Sequence, residues 1–468
     1  MTALREGITC RYVGVPDIWP VKVQQNYVKL YVIIKKILPP NLEDLDIAIL
    51  NLKKNGKGKN QMRFLHVADI HLGMENYGRI DPSTGLHTRL KDFIKCFSFA
   101  IDIALEEKVD LVIFTGDAYK NSNPNPTHQR EFARQIYRLS EAEIPVVMIN
   151  GNHDNPVSFG KATSLDIFDT LNVSGVKVVT EPELLNIETK AGSVQVFGLP
   201  WPTKNLFLSK EEYKDFTDEE ITKEIQKRAS EKIREYARMM KPGIPVIFAA
   251  HLAAAEATYS GSERSAIIGR DPVFSTQVLA QKEFDYVALG HIHKFQDLNP
   301  NNHPPVVYPG SIERINFGEE KDDKGVCLVN IEKGKTSYEF IPLPARKFVT
   351  IDVVISEEQD PTNTLLGEIE KYDLSESVVR VFYTMPTERE DLLDFKRINS
   401  ALEGAFLVSA IAKKSKPLER VKRAEISEDL GMLEAIDKYI QNSPDLAPLS
   451  EELKTYAQKL EQELEGNS

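Results

Sequence analysis

The chain has 468 residues, 41% hydrophobic and 27% charged, with a formal net charge of −12. That is ordinary for a soluble globular protein and leaves room for about two or three domains around a large core. The acidic balance argues against a protein that coats nucleic acid by bulk attraction, although divalent ions and a local basic rim can still capture phosphate. The cysteines Cys10, Cys96 and Cys327 show neither pairing nor zinc spacing, which fits a reducing cytoplasm. The apolar stretch from Val28 to Leu38 is broken by Lys29, Lys35 and Lys36 and is too short to span a bilayer, and no signal peptide is apparent, so no membrane role is expected.

In chain order, residues 1–61 look foreign to the rest. Pro39-Pro40 and the Lys53–Lys59 stretch, with Gly56 and Gly58, read as breaker and linker, and this extension receives no function. From 62 to 345 apolar runs alternate with helical patterns. Phe64–Ala68, Leu111–Thr115, Val146–Ile149, Val246–Ala249 and Tyr286–Leu289 each read as a buried strand. Leu90, Phe93, Ile94, Phe97, Ile101 and Leu105 keep helical spacing, and Thr127 can cap a second helix through about Leu139. Residues 205–241 read as a charged helical excursion, and the whole as an α/β domain with helices outside sheets. Phe348–Val354 and Val378–Tyr383, flanking a helical segment near 362–372, read as a small α/β domain over 346–412. Lys413, Lys414, Lys416, Arg420, Lys422 and Arg423 then open 413–468, as a solvated linker or a set of phosphate contacts. Two amphipathic helices close the chain, one lined by Leu430, Leu433, Ile436 and Tyr439-Ile440, the other by Leu449, Leu453, Tyr456, Leu460 and Leu464, either to fold back on the protein or to dock on a partner. No Walker A pattern is present, so ATP binding of that kind is not expected.

The chemistry sits just after the predicted strands. Asp69-Ile70-His71, Gly116-Asp117, Gly151-Asn152-His153-Asp154, Ala250-His251 and Gly290-His291-Ile292-His293 follow them in order, and hold five of the nine histidines. Ligands at strand ends converge on one edge of a sheet. Singly, each motif has a bland reading as a capped or Asx-rich turn; jointly and in order they point to a site. Asp69, His71, Asp117, Asn152, His251, His291 and His293 offer only oxygen and nitrogen donors, which suit Mn2+, Fe2+, Zn2+ or Mg2+, and the imidazoles argue against a pure Mg2+ or Ca2+ site. Seven donors are too many for one tetrahedral zinc. They suffice for two ions about 3.5–4 Å apart, an arrangement that can hold a phosphate and generate a hydroxide. The i, i+2 spacing of Asp69 with His71, and of His291 with His293, predicts shared faces on extended backbone. Asp117 is a plausible bridge, and His153 can steady charge or protonate a leaving oxygen.

These motifs resemble the calcineurin-like metallophosphoesterase superfamily. The segments from Met62 to Gly73, Leu289 to Lys294, Ser260 to Arg264 and Tyr308 to Arg314, followed by Phe317 to Glu320, look like the bacterial SbcD and archaeal and eukaryotic Mre11 nucleases, over about residues 62–465. The resemblance implies a four-layer αββα sandwich over 62–345, a DNA-binding cap-like domain at 346–412 and C-terminal helices that dock on an SbcC/Rad50-like ATPase. It implies two divalent ions, Mn2+ by family habit: one on Asp69, His71, Asp117 and His293, the other on Asp117, Asn152, His251 and His291, with His153 catalytic. The implied activity is 3′→5′ exonuclease and single-strand or hairpin endonuclease cleavage of DNA in repair, and family behaviour suggests a homodimer. Lys120, Arg264 and Arg314 are the candidate substrate contacts.

One position departs from the pattern. Where relatives commonly carry Asp or His three residues after the bridging Asp, this chain has Lys120, which cannot accept a hydrogen bond from a protonated imidazole. It can instead meet substrate phosphate as a flexible point charge, or face solvent. A small-substrate phosphoesterase and a non-catalytic scaffold are the other readings. The cap-like region and the tail helices argue against the first, and the full ligand set with His153 argues against the second.

Overall fold

The computed structural model describes residues 61–156, 161–261, 271–414, 450 and 454–455. Residues 1–60, Arg264, the basic residues Lys416, Arg420, Lys422 and Arg423 and, apart from the helical residues 450 and 454–455, the expected tail helices lie outside the described residues.

The strands, in chain order, are β1 (Met62–Val67), β2 (Leu111–Phe114), β3 (Val146–Ile149), β4 (Val176–Val179), β5 (Glu183–Thr189), β6 (Gly192–Leu199), β7 (Val246–His251), β8 (Ala253–Ala254), β9 (Val273–Phe274), β10 (Tyr286–Gly290), β11 (Gln296–Asp297), β12 (Val306–Tyr308), β13 (Gly325–Glu332), β14 (Lys335–Pro342), β15 (Phe348–Val354), β16 (Val378–Thr384) and β17 (Leu407–Lys413). Two six-stranded sheets form the body, in the orders β14-β13-β1-β2-β3-β4 and β11-β12-β10-β7-β6-β5. Within the first, β1 to β4 run parallel. Within the second, β6, β7, β10 and β12 do. Strands such as Leu-Val-Ile-Phe and Val-Val-Met-Ile are buried along their whole length, as central parallel strands must be when both faces are covered.

The sheets stack face to face. Phe64, Ile113, Val147 and Ile149 of one meet Val196, Ile247, Ala249 and Ala288 of the other. On the outer face of the first sheet lie Leu90, Phe93, Phe97 and Ile101 of helix Thr88–Glu106. On the outer face of the second lie Ala229, Ile233 and Ala237 of helix Asp218–Met239. The fold is therefore the expected four-layer αββα sandwich. The charged excursion is three helices, Lys204–Phe207, Lys210–Tyr213 and Asp218–Met239, between β6 and β7. The cap expected at Thr127 is made earlier, by Asn125, whose Oδ1 accepts from the His128 amide at 3.0 Å, with Pro126 opening the helix. Proline fits there because the first helical N–H has no partner to lose.

Residues after 345 build a separate three-stranded parallel sheet, β15-β16-β17, with helices Pro361–Ile369 and Phe395–Ala401. Its third strand went unforeseen because Leu407–Lys413 runs into the basic stretch. Lys413 and Lys414 serve this sheet rather than a linker: Lys413 pairs with Glu390 at 3.3 Å and Lys414 pairs with Asp352. The unit is tied to the sandwich by Arg346, whose guanidinium grips both Asp92 oxygens at 2.6 and 2.7 Å and lies 3.6 Å over the Phe406 ring. A planar fork on a carboxylate fixes orientation as well as distance. Phe317 and Phe348 pack against Tyr77 and Val378 beside that clasp.

Candidate metal centre

All five motifs lie at the C-terminal ends of parallel strands. Asp69 and His71 follow β1, Asp117 follows β2, Asn152 and His153 follow β3, His251 ends β7, and His291 and His293 follow β10. Stacking the sheets brings both sets of strand ends to one edge.

The backbone there is not extended, as the i, i+2 argument supposed. Asp69, His71, Asp117 and His291 have φ of 50°, 49°, 59° and 102°. The reason lies in the loops. The amides of Asp69 and His71 donate to the carbonyls of Gly116 and Asp117 at 3.0 Å each, so the turn after β1 is zipped to the turn after β2. Left-handed backbone at non-glycine residues costs of order 1–3 kcal/mol each and persists where surroundings over-determine it.

Glycines precede three of the donors because nothing larger fits. A Cβ on Gly116, itself at φ +94°, would fall 2.4 Å from His251 Nδ1. One on Gly290 would fall 2.0 Å from the Thr115 carbonyl oxygen, and one on Gly151 would fall 2.1 Å from Asp117 Oδ1. Gly151→Ala is thus expected to displace Asp117 and to lower the divalent metal bound relative to wild type. Equilibrium dialysis followed by metal analysis checks this; an unchanged metal content would contradict it.

Asp117 Oδ2 stands between two groups of donors. On one side is His71 Nε2 at 3.6 Å, itself 3.0 Å from His293 Nε2. On the other is His251 Nε2 at 3.5 Å, with Asn152 Oδ1 2.9 Å from it and 3.1 Å from His291 Nδ1. Asp69, His71 and His293 have donor atoms mutually within 4.8 Å, as do Asp69, Asp117 and His251. His71, Asp117 and His153 also satisfy that distance. Asp69 accepts the His291 amide at 3.0 Å, which ties the two sheets together across the site.

The protonation states suit cations. Burial, reinforced by neighbouring imidazoles, holds His71 and His291 well below the usual histidine value. Burial lowers His251 to about 3, so all three are neutral with a lone pair to give. Burial, then Asp154 and Asp69, pushes the Asp117 carboxyl well above its usual value. Crowded buried carboxylates call for positive charge, and His71 Nε2 and His251 Nε2 flank Asp117 Oδ2 with lone pairs to give a cation. The residues therefore fit divalent ions.

His153 differs from the other histidines of the cluster. Its side chain is 40% exposed, against 1%, 0% and 6% for His71, His251 and His293. Its Nδ1–H donates to the Lys120 carbonyl at 2.7 Å, leaving Nε2 at the open side, 4.0 Å from Asp117 Oδ2. The departure at Lys120 is thus met by the backbone: the main-chain oxygen orients the imidazole, and the exposed lysine side chain is not called on for that. Arg314 is differently used than expected. Its guanidinium donates to the carbonyls of Arg346 and Asp322 at 3.0 and 2.7 Å, so it buttresses the join to the β15 unit.

Two supports were missed in the sequence. Asp154, fully buried, accepts from the amides of Asp117, Ala118 and Gly151 at 2.8, 3.1 and 3.0 Å and so fastens two ligand loops together. Its place in Gly151–Asp154 was the available signal. Glu319 accepts from His293 Nδ1 at 2.9 Å. Burial acts to raise its carboxyl, but Lys324 at 2.8 Å and His293 outweigh that and bring it down to about 2.

A family model described as calcineurin-like phosphoesterase matches residues 62–295. The chain belongs to that family. Within it, the chain is 28% identical over 293 residues to the SbcD component of the nuclease SbcCD of Staphylococcus saprophyticus, covering 62% of this chain and 72% of that protein. It is 25% identical over 398 residues to the DNA double-strand break repair protein Mre11 of Methanosarcina mazei, covering 84% of this chain and 54% of that one. It is also 28% identical to the uncharacterized metallophosphoesterase YhaO of Bacillus subtilis, over 60% of each chain. The alignments thus span less than two thirds of the YhaO and Mre11 lengths. No helix among the described residues is long and apolar enough to cross a membrane.

Proposed function

We propose that the chain is the nuclease component of a DNA repair assembly, hydrolysing DNA phosphodiesters at a dinuclear Mn2+ centre as a 3′→5′ exonuclease and a single-strand or hairpin endonuclease, and working with an SbcC/Rad50-like ATPase. One observation carries it beyond phosphoesterase: the 398-residue alignment with Mre11 is too long for the sandwich alone. The β15-β16-β17 unit would then be the DNA-facing cap of residues 346–412, and 413–468 the ATPase-docking segment.

Asp69, His71, Asp117 and His293 would hold one ion, and Asp117, Asn152, His251 and His291 the other. Bound there, the ions supply Lewis acidity toward the phosphate and a nucleophilic water. The rest falls to the chain. The Gly116, Gly151 and Gly290 contacts fix donor positions before substrate arrives, so little reorganisation is left for the reaction. His153, with its Nδ1 proton committed to the Lys120 carbonyl, exchanges a proton with a substrate oxygen through Nε2. The Lys120 ammonium, exposed one loop away, is the phosphate contact. Lys120→Ala is expected to weaken DNA binding and flatten the logarithmic salt dependence by about one phosphate contact. A binding isotherm series in NaCl checks this, and an unchanged slope would assign Lys120 to solvent.

The proposal is tested by rates on end-labelled hairpin and duplex DNA beside rates on p-nitrophenyl esters, with Mn2+. Preference for DNA supports it. Turnover confined to the small esters would make the chain a small-substrate phosphoesterase.

A further inference from the structure

His293 is oriented differently from its neighbours. His251 Nδ1–H donates to a backbone carbonyl, that of Thr115, at 2.7 Å. His153 likewise donates to a backbone carbonyl. His293 Nδ1–H instead donates to a carboxylate, Glu319 Oε1, at 2.9 Å. That bond fixes the proton on Nδ1 and turns the Nε2 lone pair toward His71 and Asp69.

Glu319 lies on the 3-10 turn Phe317–Glu319 and is 0% exposed. A carboxylate so placed needs a counter-charge. Lys324 provides it from an equally buried position, 2.8 Å from Glu319 Oε2, which also accepts the Ile315 amide at 3.1 Å. The same ammonium donates to the His293 carbonyl and to Ser311 Oγ, each at 2.9 Å. Lys324 therefore holds the backbone of His293 while the carboxylate it neutralises holds the ring. The loop is closed from outside by Gly310, at φ +80°, where a Cβ would fall 2.6 Å from the His293 carbonyl.

We propose that the buried Glu319–Lys324 pair is a positioning unit that makes the Asp69–His71–His293 side of the centre the tighter of the two metal sites. A carboxylate behind an imidazole raises its basicity and removes its rotational freedom, and losing such a partner costs roughly 10–100-fold in metal affinity. The hydrogen bonds of the pair go to His293 and its own loop rather than to His251 or His291, so the second site should be spared. The inference rests on the two-ion reading of the centre.

Mn2+ titration calorimetry on the metal-free full chain tests it, comparing wild type with Glu319→Gln and with the double variant Glu319→Leu/Lys324→Met. The double variant matters because removing one partner strands a buried charge, whereas replacing both with apolar groups is often tolerated. Wild type is expected to show two events of different affinity. Both variants are expected to weaken the tighter event roughly 10–100-fold and leave the weaker one in place. Two wild-type events of equal affinity, variants that bind as wild type does, or equal weakening of both sites alongside a lowered metal-free Tm would each overturn the positioning role. Wild-type protein that takes up no Mn2+ would overturn the two-ion reading itself, and the inference with it.

Discussion

Asp117→Asn is expected to abolish hydrolysis and to lower bound metal from two ions to one or none, while leaving the metal-free protein at least as stable as wild type. The first half follows from position. Asp117 Oδ2 lies 3.6 Å from His71 Nε2 and 3.5 Å from His251 Nε2, so one atom serves both donor groups. An amide oxygen carries no net charge and shares itself poorly between cations. Loss of metal catalysis removes several kcal/mol of transition-state stabilisation, about a thousandfold or more in rate. The second half follows from electrostatics. In the metal-free chain burial, Asp154 and Asp69 push the Asp117 carboxyl well above its usual value. A group with a raised carboxyl value binds more protons folded than unfolded, so its share of stability grows as pH falls and is unfavourable at neutral pH. Asparagine removes that penalty. Metal analysis, initial rates and melting of the metal-free proteins at pH 7 check the three parts together. A variant that keeps two ions and full activity would remove Asp117 from the bridge. A metal-free variant clearly less stable than wild type would show that the carboxylate is tolerated there at no cost.

His153→Ala is expected to lower kcat roughly 10²–10⁴-fold with both ions still bound. The separation of the two effects is built into the contacts. What His153 gives Asp117 is its backbone amide, 2.9 Å from Oδ1, and alanine keeps it. What alanine removes is the imidazole, whose ring stands T-shaped to His71 at 4.9 Å and whose Nε2 faces the open side. His71, Asp117 and His153 are also close enough to form a metal triple, and this variant decides between the two roles. Unchanged metal content with a collapsed kcat identifies a proton-transfer or charge-stabilising group. Loss of one ion would identify a ligand.

The strands and their donors were legible because two signals coincide at each: an apolar run of strand length, then a metal-seeking side chain. That helices lie outside sheets followed from the same alternation, whereas the four-layer arrangement came from the family resemblance. What was hidden depends on residues far apart in the chain meeting in space. Nothing local distinguishes Gly151 from any turn glycine until Asp117 is seen against it. The left-handed backbone of Asp69 and His71 arises from the loop at Gly116 and Asp117, so the extended-face argument had no means of finding it. Glu319 and Lys324 lie in a run of charge, Glu319-Glu320-Lys321-Asp322-Asp323-Lys324, in which nothing local marks either as buried. Folding buries three of those six charges, Glu319, Asp322 and Lys324, and turns Glu319 and Lys324 onto His293 and its loop. Lys120 was judged by its side chain, whereas its carbonyl does the orienting, and side-chain identity carries no information about that.

The central claim is that two ions sit across one carboxylate. The most direct measurement is anomalous scattering from crystals of the protein grown with Mn2+. The account predicts two peaks about 3.5–4 Å apart, one beside His71 and His293 and one beside His251, Asn152 and His291, with Asp117 between them. A single peak, or a second ion away from Asp117, would contradict it.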